Sequence, residues 1–381
     1  MNTLSASLSA TKAPGEPPRA WKQRLPIAVG VVALFGWLLW SVSARQALLL
    51  VIGLGLGWGL ARHRFGFTTA WRNLVQDRDP SGVYGQIILL ALLALVSMPI
   101  LAWFPETTAA LGPPSYSVLI GAFVFGLCMQ LADGCGSGTL YKAGMGVPLN
   151  MAILPMFILG SFAGSAQLTD WVALGSLEPV GLIDVLGAGG ALAATLAALV
   201  VIAIGVRLWT GQAFHFDKSA RHWFWGAIAL AIFAGLNLFV AGQPWGIVYG
   251  FGLWGAKAAT AAGVFDPATN AFWSDPGHAM RLSQTLLLDV TSITNIGILL
   301  GAFWVTTKQP PRKPSRRTAV HWVVGLVAGF LLGYSSRMAF GCNIGAMVSG
   351  ISSGSLHGWI WVPMAFLGTL LGVRLRRLLH Y

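Results

Sequence analysis

The stretch "LADGCGSGTLYKAG" (131–144) places an Asp, a Cys and a Lys among four glycines. It lies between two apolar runs, "YSVLIGAFVFGLCMQ" (116–130) and "VPLNMAILPMFILGSFAG" (147–164). Near the other end of the chain, "GYSSRMAFGCNIGAMVSG" (333–350) repeats the arrangement. "GLCMQLADGCGSG" (126–138) aligns with "GYSSRMAFGCNIG" (333–345) without a gap: Gly126, Ala132, Gly134, Cys135 and Gly138 meet Gly333, Ala339, Gly341, Cys342 and Gly345. Neither "DGCGSG" nor "FGCNIG" holds a helix comfortably throughout. Irregular backbone between apolar segments survives in lipid only where protein buries it or a watery cavity runs beside it. Each element is therefore expected to be the tip of a broken or re-entrant helix.

The rest of the chain supports a membrane setting. Of 381 residues, 55% are hydrophobic and 9% charged, against about 25% charged in soluble domains. Mean hydropathy is +0.69. So few charges cannot cover a water-exposed surface, and the expected class is an all-α, polytopic integral membrane protein. The 48 glycines suit close helix packing in lipid and the 17 tryptophans suit interfacial anchoring. The net charge of +12 sits between apolar runs, as in "ARHRFGFTTAWRNLVQDR", "KQPPRKPSRR" and "RLRRLLH". That is the pattern of cytoplasmic loops and not of a nucleic-acid-binding face.

Candidate spans are 26–43, 47–61, 84–104, 117–132, 149–168, 187–207, 222–241, 244–259, 286–305, 319–335 and 356–373. Residues 1–25 read as a flexible cytoplasmic tail and 26–46 as an extra N-terminal span. Residues 47–210 form a first half with a linker helix, and 211–381 a second half. A weaker internal match pairs "GLGLGWGLARHRFGF" (53–67) with "GFGLWGAKAATAAG" (250–263). Duplicated halves with short, glycine-broken spans are the architecture of secondary transporters. Strict alternation over eleven spans with the tail inside puts the basic loop 308–317 outside, against the positive-inside rule. One span is therefore miscounted, or a segment such as 274–290 also crosses. An extra crossing would invert the two repeats, so that the Cys elements enter from opposite faces.

The chemistry of these elements points to an anion. A short helix beginning near Cys135 or Cys342 directs N-terminal N–H groups and partial positive charge into the cavity. Flanking glycines let an anion approach the backbone. A neutral thiol is a soft, weak donor that suits a ligand with terminal sulfur or selenium. The expected substrate-binding residues are Gly134, Cys135, Gly136 and Gly138 on one side and Gly341, Cys342, Asn343 and Gly345 on the other. Cys128, Asp133, Lys142 and Arg337 are candidate pathway residues, and Asn295 and Asp289 are further polar groups at membrane depth. Each also has a plainer reading as a packing or interfacial residue, and a lone buried Cys is ordinarily a small hydrophobe.

Other chemistries lack their residues. Three cysteines are too few for a disulfide framework. No Walker-type loop, HExxH or paired CxxC occurs, and the seven histidines are scattered. Three cysteines could in principle hold copper(I) or zinc, but the Cys128–Cys135 spacing matches no metal motif, so neither metal nor cofactor is expected. The chain reads as a transporter and not an enzyme. A membrane sulfur carrier forming a persulfide on Cys135, helped by Lys142 or Arg337, is the rival from another class. A purely structural membrane protein is the third.

With these residues in view, "LADGCGSGTLYKAG" and "MAFGCNIG" resemble the YeeE/YedE family of sulfur-transport membrane proteins, over most of residues 47–375. The resemblance implies a multi-pass inner-membrane protein that relays thiosulfate past central cysteines through S–H hydrogen bonds. Short re-entrant helices would reach the centre from both faces, with Cys135 and Cys342 as the central pair. It also implies a small soluble cytoplasmic sulfur-handling partner. Thiosulfate-type members carry a third cysteine in an Arg-Phe-Cys-Phe-like stretch, where this chain has Gly66 in "HRFGFTTAWR". That departure leaves room for another sulfur species or a selenium compound, as in the YedE branch.

Overall fold

In the computed structural model, residues 19–213, 218–307 and 318–379 are described. Most of the proposed tail and the basic loop 308–317 lie outside them. The elements are α1 (Arg19–Ser41), α2 (Ala44–His63), α3 (Phe67–Asp77), α4 (Ser81–Trp103), α5 (Tyr116–Leu131), α6 (Gly136–Gly144), α7 (Pro148–Ala166), α8 (Leu168–Ala173) and α9 (Leu182–Thr210). There follow α10 (Lys218–Ala241), α11 (Val248–Ala261), α12 (Pro276–Ser283), α13 (Val290–Thr306), α14 (Ala319–Met338), a π-helix (Asn343–Gly350) and α15 (Leu356–Leu378). Among the described residues there is no strand beyond two isolated bridges, Ser115–Ser176 and Gly181–Ser355. The all-α, polytopic expectation holds: eight helical stretches are long and apolar enough to cross a membrane, and two shorter apolar ones, 25–41 and 290–306, join them.

Three helix pairs form the frame, and small residues draw each together. On α2 and α13, Gly53 meets Gly297, Gly57 lies on the Ile298 backbone and Gly301 on that of Leu54. On α5 and α15, Gly126 lies on the Ala365 backbone, and Gly368 and Gly372 lie on Phe123 and Leu127. On α7 and α14, Gly160 and Gly164 lie on Phe330 and Tyr334, and Gly333 on Phe157. A Cβ at most of these positions would strike backbone, so the four-residue spacing of small residues is what lets the helices approach. In every pair the contacts advance together along both chains, so the partners run parallel.

These directions fix the faces. Gln46 at the start of α2 donates to the Leu288 carbonyl just before α13 (2.8 Å). Arg45 donates to Val240 at the end of α10 (2.9 Å). The starts of α2 and α13 and the end of α10 therefore share one face, called here the far face. α1, joined to α2 by a two-residue connection, starts on the other, the tail face. The segment 242–289 thus leaves from the far face and returns to it. It does not cross, and this corrects the expected span at 244–259. Residues 242–247 are not helical, and α11 has only 14 residues, about 21 Å against a hydrocarbon core of about 30 Å. Neither does 274–290 cross, since α12 is eight residues long. With one crossing fewer, the helix ends flanking the basic stretch 308–317 fall on the tail face, and α5 and α14 run in opposite directions. The inversion arises from a lost crossing and not from an added one.

The non-crossing segment brings irregular backbone to membrane depth, and side chains from three helices satisfy it. Ser349 Oγ donates to the Trp245 carbonyl (2.6 Å), Asn295 Nδ2 to Ile247 (2.9 Å) and Ser161 Oγ to Val248 (2.9 Å). Without these donors the Trp245 and Ile247 carbonyls would stand unpaired in a dry interior, at a cost of several kcal/mol each, while the Val248 carbonyl belongs to the first turn of α11. The weaker internal match also changes character. The stretch 53–67 runs off the end of a full span into left-handed Arg64, whereas 250–261 lies inside one short helix.

Candidate functional site

α5 ends at Leu131 and α14 at Met338, and each is followed by the same backbone course. Asp133 and Phe340, equivalent in the alignment, are both left-handed (φ 52° and 54°). Gly134 N–H closes onto Met129 and Gly341 N–H onto Ser336, at 3.1 and 2.9 Å. Cys135 then caps α6 with φ −87°, ψ −166°, and Cys342 caps the π-helix with φ −85°, ψ −168°. Neither cap residue spends its side chain on the helix: no side-chain cap bond forms at either end. The first turn of each helix thus has no side-chain oxygen from its cap residue to accept from its amides.

The two ends touch. A Cβ on Gly136 would stand 2.8 Å from Cys342 Sγ and 3.5 Å from Val248 Cγ1. The first turn of α6, the thiol of Cys342 and the tip of α11 thus meet at one point. Both thiols are buried, and Cys135 Sγ lies 3.4 Å from Ser137 Oγ. Gly134 is confined by Thr139, whose N and Oγ1 are 3.0 Å from its Cβ position, and Gly341 by the Ala346 amide. Gly138 and Gly345 have room for a side chain.

Around this point stand polar atoms without partners. Asn343 is fully buried, and neither its Oδ1 nor its Nδ2 makes a hydrogen bond among the described residues. The same is true of both amide atoms of Asn150 and of Thr139 Oγ1. Buried polar groups in folded proteins are paired in the great majority of cases, so such a cluster asks for a function. Asn150, whose Nδ2 is 3.3 Å from the Gly134 Cβ position, was not among the residues expected from sequence. A lone Asn in the apolar "VPLNMAILP" is the one signal that marks it.

The candidate pathway residues separate. Asp133 is bound by three cations on the tail face: Arg72 at 2.8 Å, Lys142 at 3.2 Å and Arg376 at 3.7 Å. Lys142 also donates to the Asp133 carbonyl. This pair therefore braces the α5–α6 hairpin. Cys128 is buried within the shaft of α5, not at a helix mouth. Asp289 caps α13 by accepting from Ser292 N and Oγ (2.7 and 2.6 Å), and Asn295 spends its Nδ2 on Ile247. Arg337 lies on the far face, above Tyr249 and Phe272. Among the described residues no three His, Cys, Asp or Glu side chains gather as a metal site would require.

The chain is thus a multi-pass helical membrane protein with two cysteine-capped helix ends opposed inside it. The family model for sulphur transport matches residues 62–371. The chain belongs to that family, as the motif resemblance implied. The thiosulfate transporter TsuA of Spirochaeta thermophila is 27% identical over 333 residues, covering 82% of this chain and 93% of that relative. The thiosulfate transporter TsuA of Escherichia coli is 30% identical over 98 residues, 26% of this chain and 28% of that one. The probable transporter YedE of Salmonella typhimurium is 26% identical over 168 residues, 42% of this chain and 40% of that relative.

Proposed function

We propose that this protein carries a small sulfur-containing anion of the thiosulfate type across the bacterial inner membrane, inward from the far face, past Cys342 and Cys135. The observation that carries the reading is the contact of Gly136 with the Cys342 thiol, which sets two uncapped helix ends against each other. An anion there would meet N-terminal N–H groups from both sides, and its terminal sulfur would accept from neutral thiols. Asn150, Asn343 and Thr139 would supply further hydrogen bonds. Passage requires binding strong enough to admit the ion and weak enough to release it. Weak S–H donors meet that need without any covalent step, so catalysis is no part of the reading. The tail face is the cytoplasmic one on this proposal, because the sequence's basic stretches join helix ends there.

Uptake of labelled thiosulfate by proteoliposomes holding the purified protein tests it, with sulfate and selenite as comparators. Thiosulfate should enter with the wild type, and entry should fall at least about tenfold in Cys135→Ala and Cys342→Ala, the scale set by losing one hydrogen bond to a charged ligand. Unimpaired entry in both folded variants would sink the reading. Selenite entry without thiosulfate entry would transfer it to a selenium substrate.

A further inference from the structure

The far-face mouth holds a cationic cluster that the central site does not use. Arg337 occupies the last turn of α14, five residues before Cys342. Its guanidinium carbon lies 5.5 Å from the centroid of the Tyr249 ring and 5.3 Å from that of Phe272. Arg281, on α12, lies 5.1 Å over the same Tyr249 ring. The two rings are themselves fixed. His278 stacks on Phe272 at 4.1 Å and 21°, and its Nδ1 hydrogen-bonds to the Tyr249 hydroxyl at 3.1 Å.

What the cluster lacks is an ion-paired carboxylate: Asp275, whose field reaches His278, accepts from the Gly277 amide at 3.0 Å. Among the described residues every ion pair involves Asp133, on the opposite face, and Arg337 Nε has no hydrogen-bond partner. Asp289, the acid whose field reaches Arg281 and Lys257, is already engaged by Ser292. A guanidinium held over aromatic rings keeps its N–H edge available for oxygen acceptors. Arg337 is half-buried with its Nε enclosed, and the exposed Arg281 is the part of the cluster that solvent reaches. The two hairpins differ in just this respect. The residue aligned with Arg337 is Gln130, and the residue aligned with Phe340 is Asp133. One hairpin tip carries an acid that binds its cations, and the other carries none.

We propose that Arg337 and Arg281 form an anion-capture site at the far-face mouth, which takes a divalent sulfur oxyanion by its oxygens before the thiols meet its terminal sulfur. The site rests on the sulfur-anion reading for its ligand. It recognises charge and oxygen, so sulfate competes for it, and discrimination against sulfate falls to the cysteines deeper in.

The test is the concentration dependence of thiosulfate entry into proteoliposomes for wild type, Arg337→Gln, Arg337→Lys and Arg281→Gln, with and without sulfate. Equilibrium binding of labelled thiosulfate to the same proteins accompanies it. Arg337→Gln should raise the half-saturating concentration about tenfold or more, the scale of losing a hydrogen bond to a charged group, with the maximal rate little changed. Arg337→Lys should lie between, and competition by sulfate should weaken in Arg337→Gln. An unchanged half-saturating concentration, or a loss confined to the maximal rate, overturns the site. If Arg337→Gln does not fold, the exposed Arg281→Gln decides by the same criterion. If the wild type carries no thiosulfate, the transport reading fails by itself, and binding decides the capture site. Affinity lost in Arg337→Gln but kept in Cys342→Ala sustains it; equal affinity in both refutes it.

Discussion

A helix N-cap is ordinarily Ser, Thr, Asn or Asp, whose oxygen accepts from the first turn. Cys135 and Cys342 stand at that position and form no such bond. Serine in place of Cys342 is nearly isosteric and would supply the missing acceptor. Cys342→Ser should therefore stabilise the π-helix by about 1 kcal/mol and raise the unfolding temperature in detergent, while thiosulfate entry falls. Thermal denaturation followed beside uptake checks the pair, and a serine variant that transports normally would show that the thiol itself is dispensable. The thiols stand out in the sequence because the same Gly-Cys element recurs between two pairs of apolar runs, although a single buried Cys is ordinarily a small hydrophobe. Asn343 is marked in the sequence both as a polar residue at membrane depth and by its place beside Cys342. Asn150 went unread because a single amide in a span is as often a helix-packing group as a ligand, and only the fold sets it beside Gly134.

At the scale of elements, the helices were legible and one of their roles was not. Hydropathy sees composition, and "QPWGIVYGFGLWG" (243–255) is apolar enough for a span. It cannot see that the chain stays non-helical until Val248, where Ser161, Asn295 and Ser349 bond its carbonyls. The far-face segment that follows, 264–289, covers α11 and carries Phe272, one of the two rings beneath Arg337. Its His278 lies outside the spans. Burial, followed by the field of Arg337, lowers its pKa below the usual 6.5. A histidine held neutral in this way contributes stability that is complete above pH 6.5 and is lost as pH falls through the lowered value. Protection of the 264–289 amides, taken as exchange relative to the intrinsic rate at each pH, should therefore fall below pH 6, and His278→Gln should flatten that response. Equal protection at pH 5 and pH 7.5 in the wild type would show that His278 does not control the segment.

For the whole molecule, parity ties the parts together. Counting 244–259 as a crossing forces 308–317 to the face opposite the tail. The parallel pairing of α2 with α13 and the bonds from Gln46 and Arg45 remove that crossing. The removal has three consequences at once. It returns the basic stretch to the tail face, turns α14 against α5, and brings the two cysteine hairpins in from opposite faces. Sequence could show that a count was wrong, because charge and alternation conflicted. It could not show which segment to remove, because that depends on contacts between helices some 240 residues apart. Single cysteines introduced at Thr269 and at Thr318 distinguish the two topologies, since the three native cysteines are buried. In intact cells a membrane-impermeant maleimide should label the Thr269 position, on the far face, and reach the Thr318 position only after permeabilisation. Labelling of the Thr318 position in intact cells would restore the crossing at 244–259. The hairpins would then enter from the same face, and a path running from Cys342 to Cys135 across the membrane would lose its geometric basis.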